Sequence, residues 1–261
     1  MMMRIMAACV GLMAVLACRS GGTGAGAAAD CTDEAGGPMR ILFIGNSLTY
    51  TNALPYMLRS LADSAGEAPP QVDDVTLPDY GLEQHWQDGR AAQAIRGACR
   101  DVVVLQQGPS SLPESRVLLL DYAARFNALI REQGARPALL SVWPSSSRRG
   151  DFARAIESYA LAAEAVDGVL LPAATAWLRA WELDPALDLY ADGLHPTPEG
   201  SYLAALVIAG RLYGRAPAQM PAAFSVRARG SSTDRQVRID PATAAVLRQA
   251  AQAALDAHPA R

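Results

Sequence analysis

Aromatic residues are scarce in this sequence, at 6% of 261 positions, and the formal net charge is only −3. There is neither a base-stacking surface nor a basic electrostatic footprint, so the composition argues against a nucleic-acid partner. Only three histidines and four cysteines occur. They form no Cys-x-x-Cys or His-x-x-x-His pattern, so no metal site is expected. No internal repeat is present. The apolar stretch from Ile5 to Ala17 is too short for an ordinary transmembrane span. What remains is 51% hydrophobic and 19% charged, the balance of a globular chain with room for one α/β domain and a sizeable core.

Arg4 followed by Ile5–Ala17 reads as the n-region and h-region of a signal peptide, residues 1–17. Val15-Leu16-Ala17-Cys18 resembles a bacterial lipobox. Cys18 is then the expected lipidated first residue of the mature chain, with ordinary cleavage nearby as the alternative. Residues 18–38 are rich in Gly and Ala and read as a flexible tether. The expected location is the bacterial cell envelope, lipid-anchored in the membrane through Cys18 or periplasmic/secreted. Cys9 leaves with the signal and Cys18 takes lipid. Cys31 and Cys99 are left as an even pair in an oxidising compartment. A disulfide between them would pin the tether to the domain; two free thiols are the alternative.

The stretch that organises the chain is Met39 to Tyr50. Ile41-Leu42-Phe43-Ile44 is a continuous apolar run, as in a parallel strand buried on both faces. Gly45 stops it, and Asn46, Ser47 and Thr49 crowd small polar groups at its end. A helix with Leu54, Met57, Leu58 and Leu61 on one face follows. Ser47 therefore sits on a strand-to-helix turn, at the edge where open α/β sheets bind ligands. Alone, it reads as a turn serine that caps a helix. Far downstream, Asp192 and His195 stand three apart in a Gly/Pro-rich loop. A serine needs a base to become a nucleophile, and the base needs a carboxylate to fix its tautomer.

Gly45-Asn46-Ser47-Leu48-Thr49 and Asp192-Gly193-Leu194-His195-Pro196 resemble the first and last blocks of the SGNH (GDSL-type) hydrolases, with Asn46 where the family name has Asp. The likeness spans roughly Met39 to Gly214. It implies an α/β domain over residues 39–215 with a three-layer flavodoxin-like fold of about five parallel strands. Residues 216–261 would be a C-terminal helical appendage. It also implies catalytic Ser47, Asp192 and His195, no cofactor, and an oxyanion hole built from backbone N–H groups of Ser47 and Gly81. Many relatives place a donor Asn after the third strand. Here Gln106-Gln107 stands instead, and a glutamine can donate a side-chain N–H from one methylene further out. Gln107 is the preferred donor, and Gln106 the alternative.

The rest of the chain reads as scaffold. Strands are expected at Gln71–Leu77, Asp101–Leu105, Pro137–Val142 and Val169–Leu171, and a helix is expected from the Gly81 loop through about Arg100. Glu114–Gln133 is a helix with Leu118, Tyr122, Phe126 and Leu129 on one face. Trp143 is either core or pocket wall, Ser145–Arg149 a polar loop, and Asp151 an N-cap for a helix to Val166. Residues 216–238 are poorly periodic, and a helix runs from Pro241 to about Ala257. His85 is a competing base or a packed histidine. The activity expected is hydrolysis of carboxylic esters, a glycan deacetylation being one form of it. The rival readings are a non-catalytic envelope glycan-binding protein and a flavodoxin-like module, which the lack of a Gly-rich phosphate cradle disfavours.

Overall fold

The computed structural model describes residues 37–260. The expected signal peptide, Cys18, Cys31 and nearly all of the expected tether lie outside the described residues. Cys99, the one cysteine within them, is disulfide-bonded.

Five parallel strands form one sheet: β1 (Arg40–Gly45), β2 (Gln71–Thr76), β3 (Val102–Leu105), β4 (Arg136–Leu140) and β5 (Val169–Leu171), in the order β2-β1-β3-β4-β5. The four apolar residues Ile41–Ile44 in β1 and all of β3 are fully buried, as their unbroken apolar runs require. Crossover helices cover the faces. They are α1 (Ser47–Tyr50), α2 (Leu54–Ser64), α3 (Leu82–Asp88), α4 (Arg90–Arg96), α5 (Pro113–Glu132), α6 (Phe152–Ala165), α7 (Ala173–Leu183) and α8 (Pro198–Tyr213). The sheet order reverses between β1 and β3. In a doubly wound sheet the crevice beyond the strand ends opens at that point. Ile44 pairs with Leu105, so Gly45 and Gln106 leave the sheet side by side.

Three local expectations are corrected. The single helix through Arg100 is two, α3 and α4, because Gly89 turns the chain with φ +82°. Asp151 precedes α6 without capping it; its carboxylate instead pairs with Arg148 and Arg154 and accepts from Ser111. The poorly periodic segment after Gly214 contains an antiparallel hairpin, β6 (Ala223–Val226) with β7 (Arg235–Arg238). Only alternate residues of these four-residue strands, Phe224, Val226 and Val237, are buried, too brief a pattern to stand out in the sequence. The last helix, α9 (Pro241–Ala257), is capped by Asp240, which accepts from the N–H groups of Ala242 and Thr243. It packs on α7 and α8.

Candidate active site

The turn after β1 is built around a buried glutamine. Gln106 Oε1 accepts from the Asn46 N–H and from the Thr49 hydroxyl, both at 2.8 Å. Gly45 makes room for it: a methyl group there would overlap Gln106 Oε1 and stand 2.8 Å from Thr49 Oγ1. The Asn46 side chain accepts from Leu48 N at 3.1 Å and caps α1. Its amide also donates to Tyr80 O at 2.9 Å, drawing the Gly81 loop to the turn. Ser47 is the first residue of α1, nine-tenths buried, with no hydrogen-bond partner for its hydroxyl or its backbone N–H among the described residues.

His85 lies behind this turn and is fully buried. Its Nε2 is 2.8 Å from Gly45 O. A carbonyl only accepts, so Nε2 carries the proton. Nδ1 is buried without a partner. Burial holds the imidazole below its ordinary pKa, against the pull of the Gly45 carbonyl. His85 is therefore a neutral prop under the strand end and not an accessible base.

The Asp-His loop is pinned at several points. Tyr190 and Pro196 bridge, and Ala191 N donates to His195 O at 2.8 Å. Gly193 takes φ +85°, and its carbonyl accepts from Ser146 N at 2.7 Å. Trp143 is core: it is 1% exposed and stacks on Trp177 at 3.7 Å between centroids. Yet its Nε1–H reaches out to Leu194 O at 3.0 Å and so anchors the loop. In the polar stretch before α6, Arg149 lies 4.1 Å over the Trp181 ring, and Arg148 pairs with Asp151.

Within the loop, Asp192 Oδ2 is 2.7 Å from His195 Nδ1, and Oδ1 accepts from His195 N and Leu194 N at 2.8 and 3.0 Å. The His195 side chain is the main cause that lowers the Asp192 carboxyl to about 2, followed by those two backbone donors. The carboxylate thus fixes the proton on Nδ1 and leaves Nε2 as the basic nitrogen. Nε2 has no partner among the described residues.

Two distant parts of the chain meet at Asn52, five residues after Ser47. Its Nδ2 donates to Pro196 O, next to His195, and to Ser201 Oγ, both at 2.9 Å. Arg235 on β7 clamps it from outside, bonding Asn52 Oδ1 at 3.1 Å and Asn52 O at 2.5 Å. Sequence reasoning missed Asn52 and Arg235. The only local signal is the tolerance of Asn for the left-handed region, where Asn52 sits at φ 57°.

The expected oxyanion donors are differently placed. Gln106 is fully buried, and its Nε2 donates to Gln107 O. Gln107 Nε2 donates to Ser110 Oγ at 3.0 Å and Ser115 O at 2.9 Å, while its Oε1 accepts from Leu82 N. Gly81 N donates to Gln84 Oε1 at 2.9 Å. Of the four groups, only the Ser47 N–H is free. Among the described residues, no group of three or more His, Cys, Asp or Glu could hold a metal ion.

A five-stranded parallel sheet in this order, flanked by helices, matches the flavodoxin-like fold of the SGNH hydrolases. Solved structures agree. A protein from Slackia heliotrinireducens assigned to the SGNH hydrolases is 28% identical, with TM-score 0.58 over 67% of this chain and 99% of that one. A DUF4886 family protein from Bacteroides uniformis is 18% identical, with TM-score 0.65 over 86% of this chain and 96% of that one. An acetylxylan esterase from Geobacillus stearothermophilus is 17% identical, with TM-score 0.52 over 67% and 94%. No protein-family model and no curated protein matches the sequence.

Proposed function

We propose that this protein is a serine hydrolase of carboxylic esters, working as an SGNH-type enzyme. Ser47 Oγ attacks the ester carbonyl as His195 Nε2 takes its proton. The imidazolium then protonates the departing alkoxide, leaving an acyl group on Ser47. Water, deprotonated by the same nitrogen, attacks that acyl group, and the proton returns to Ser47 as the acid leaves. Asp192 remains ionised throughout and holds the imidazole in the required tautomer. The Ser47 N–H supports the developing oxyanion, and Gly81 N–H joins it when the Gln84 side chain turns away. Loss of one such donor typically costs about 10²–10³ in rate.

The observation that carries this reading is the Asp192–His195 pair, held on a loop that Asn52 ties to the Ser47 turn. An acylated glycan of the envelope is the substrate that the expected location suggests, with an anchor through Cys18 holding the enzyme near it. Hydrolysis of p-nitrophenyl acetate by wild type, and its loss in Ser47→Ala, would support the assignment; equal rates would refute it. The second reading is a non-catalytic glycan-binding protein. It is favoured by the occupied Gly81 N–H and the two occupied glutamine amides. Binding of an acetylated oligosaccharide by both wild type and Ser47→Ala, with no turnover by either, would favour it.

A further inference from the structure

A cleft of about 410 Å³ opens between Gly81, whose loop Asn46 holds through Tyr80 O, and Leu194, the residue before His195, and runs along the start of α5. That volume suits a ligand pocket, for which about 300–1,000 Å³ is usual. Its wall is hydrocarbon, supplied by Pro109, Leu112, Leu118, Pro144 and Leu194. The three leucines are 37–44% exposed, so they present an open apolar face rather than core.

Many of the polar groups that line the cleft already have partners within the fold, Glu83 Oε1 with Gln87 and Tyr122 among them. Gln107 spends both amide hydrogens on Ser110 and Ser115. Gln84 accepts from Gly81, and Ser115 Oγ bonds both backbone groups of Leu112. Ser111 and Arg148 both turn to Asp151. Among the described residues, no aromatic ring lines the cleft. A sugar would find no aromatic stacking platform there. A hydrocarbon chain would find leucine and proline surface to cover.

We propose that this cleft holds the acyl chain of the ester, and that the chain is an unbranched apolar one of intermediate length, longer than acetyl. The inference rests on the hydrolase reading for its catalytic consequence. The alcohol half of the substrate lies outside the cleft and is free to be polar.

The test uses the full chain with p-nitrophenyl acetate, butyrate, hexanoate and octanoate, together with fluorescence titration of a dansylated medium-chain fatty acid displaced by octanoate. The kcat/KM should rise roughly twofold to fourfold per added methylene, the gain expected from covering each CH₂. In Leu118→Glu the octanoate-to-acetate ratio should fall about tenfold or more, and octanoate should bind correspondingly less well. Leu118 is a partly exposed helix residue, so the variant should fold, which its circular dichroism checks. A ratio that is flat or favours acetate, or that is unmoved by Leu118→Glu, overturns the proposal. If no ester is turned over but octanoate binds wild type and not Leu118→Glu, the cleft assignment stands and the hydrolase reading fails. If octanoate does not bind and no chain-length preference exists, the cleft assignment fails, whatever Ser47 does.

Discussion

Asn52 Nδ2 lies 2.9 Å from the carbonyl oxygen of Pro196, 144 residues away in the chain. This contact joins the segment that follows Ser47 to the residue that follows His195. It is made by a residue with φ 57°, held there by four hydrogen bonds from three directions. Replacing Asn52 with Asp keeps the acceptor for Arg235 but puts an oxygen against the Pro196 carbonyl. We expect kcat to fall by about 10–100-fold, the scale of a small misplacement of reacting groups. Asn52→Gly, which tolerates the backbone, should lose activity without losing more than about 1–3 kcal/mol of stability. Steady-state kinetics and denaturant melts on the two variants check this.

The buried Gln106 makes a second prediction. Gln106→Leu leaves the Asn46 N–H and the Thr49 hydroxyl unpaired in a site closed to water. A loss of about 2–4 kcal/mol is expected from these two orphaned groups. Gly45→Ala should cost about 1–3 kcal/mol through overlap with Gln106 Oε1. Because the two residues meet, a double-mutant cycle should show strong non-additivity.

Asp192 does not limit activity in mild acid. Its carboxyl is held at about 2 by His195 and the loop N–H groups. It stays ionised throughout the mildly acidic range, so activity lost there does not come from Asp192. Asp192→Asn should lower kcat at every pH in the neutral range, by an amount approaching the roughly 10⁴ of serine proteases with the same triad. A pH–rate profile of both proteins tests this: the variant's curve should lie below that of wild type across the neutral range.

His85 makes the fold itself acid-sensitive. Burial lowers its pKa from the ordinary 6.5, so below that value the unfolded chain binds the proton more readily. Its contribution to stability is fully present above about pH 6.5 and declines as pH drops through that value. The half-buried His258 shifts in the same direction, so the comparison with a variant isolates His85. His85→Gln should show a smaller fall in melting temperature between neutral and mildly acidic pH than wild type.

Much of this architecture is legible in the sequence because its signals are local. The apolar runs of β1 and β3, the striped face of α5 and the Asp-x-x-His loop each announce themselves within a dozen residues. The site's support is not local. Asn52 matters because of partners far away in sequence, and Trp143 anchors the His195 loop from inside the core. The glutamines after β3 illustrate the same limit: a side-chain amide at a strand end suits an oxyanion hole, but its direction depends on the packing of neighbouring turns. Here Gln106 turns under Asn46 and Gln107 turns into the Ser110 loop. The short β6–β7 hairpin escaped notice because four-residue strands carry too few alternating positions to read.

In the proposed mechanism Ser47 is the nucleophile, activated by the Asp192–His195 pair. Labelling the purified protein with a fluorophosphonate probe and mapping the adduct by mass spectrometry tests it most directly. The account predicts a single adduct on Ser47, formed much more slowly in His195→Ala. An adduct on another serine, or equal labelling with and without His195, would contradict it.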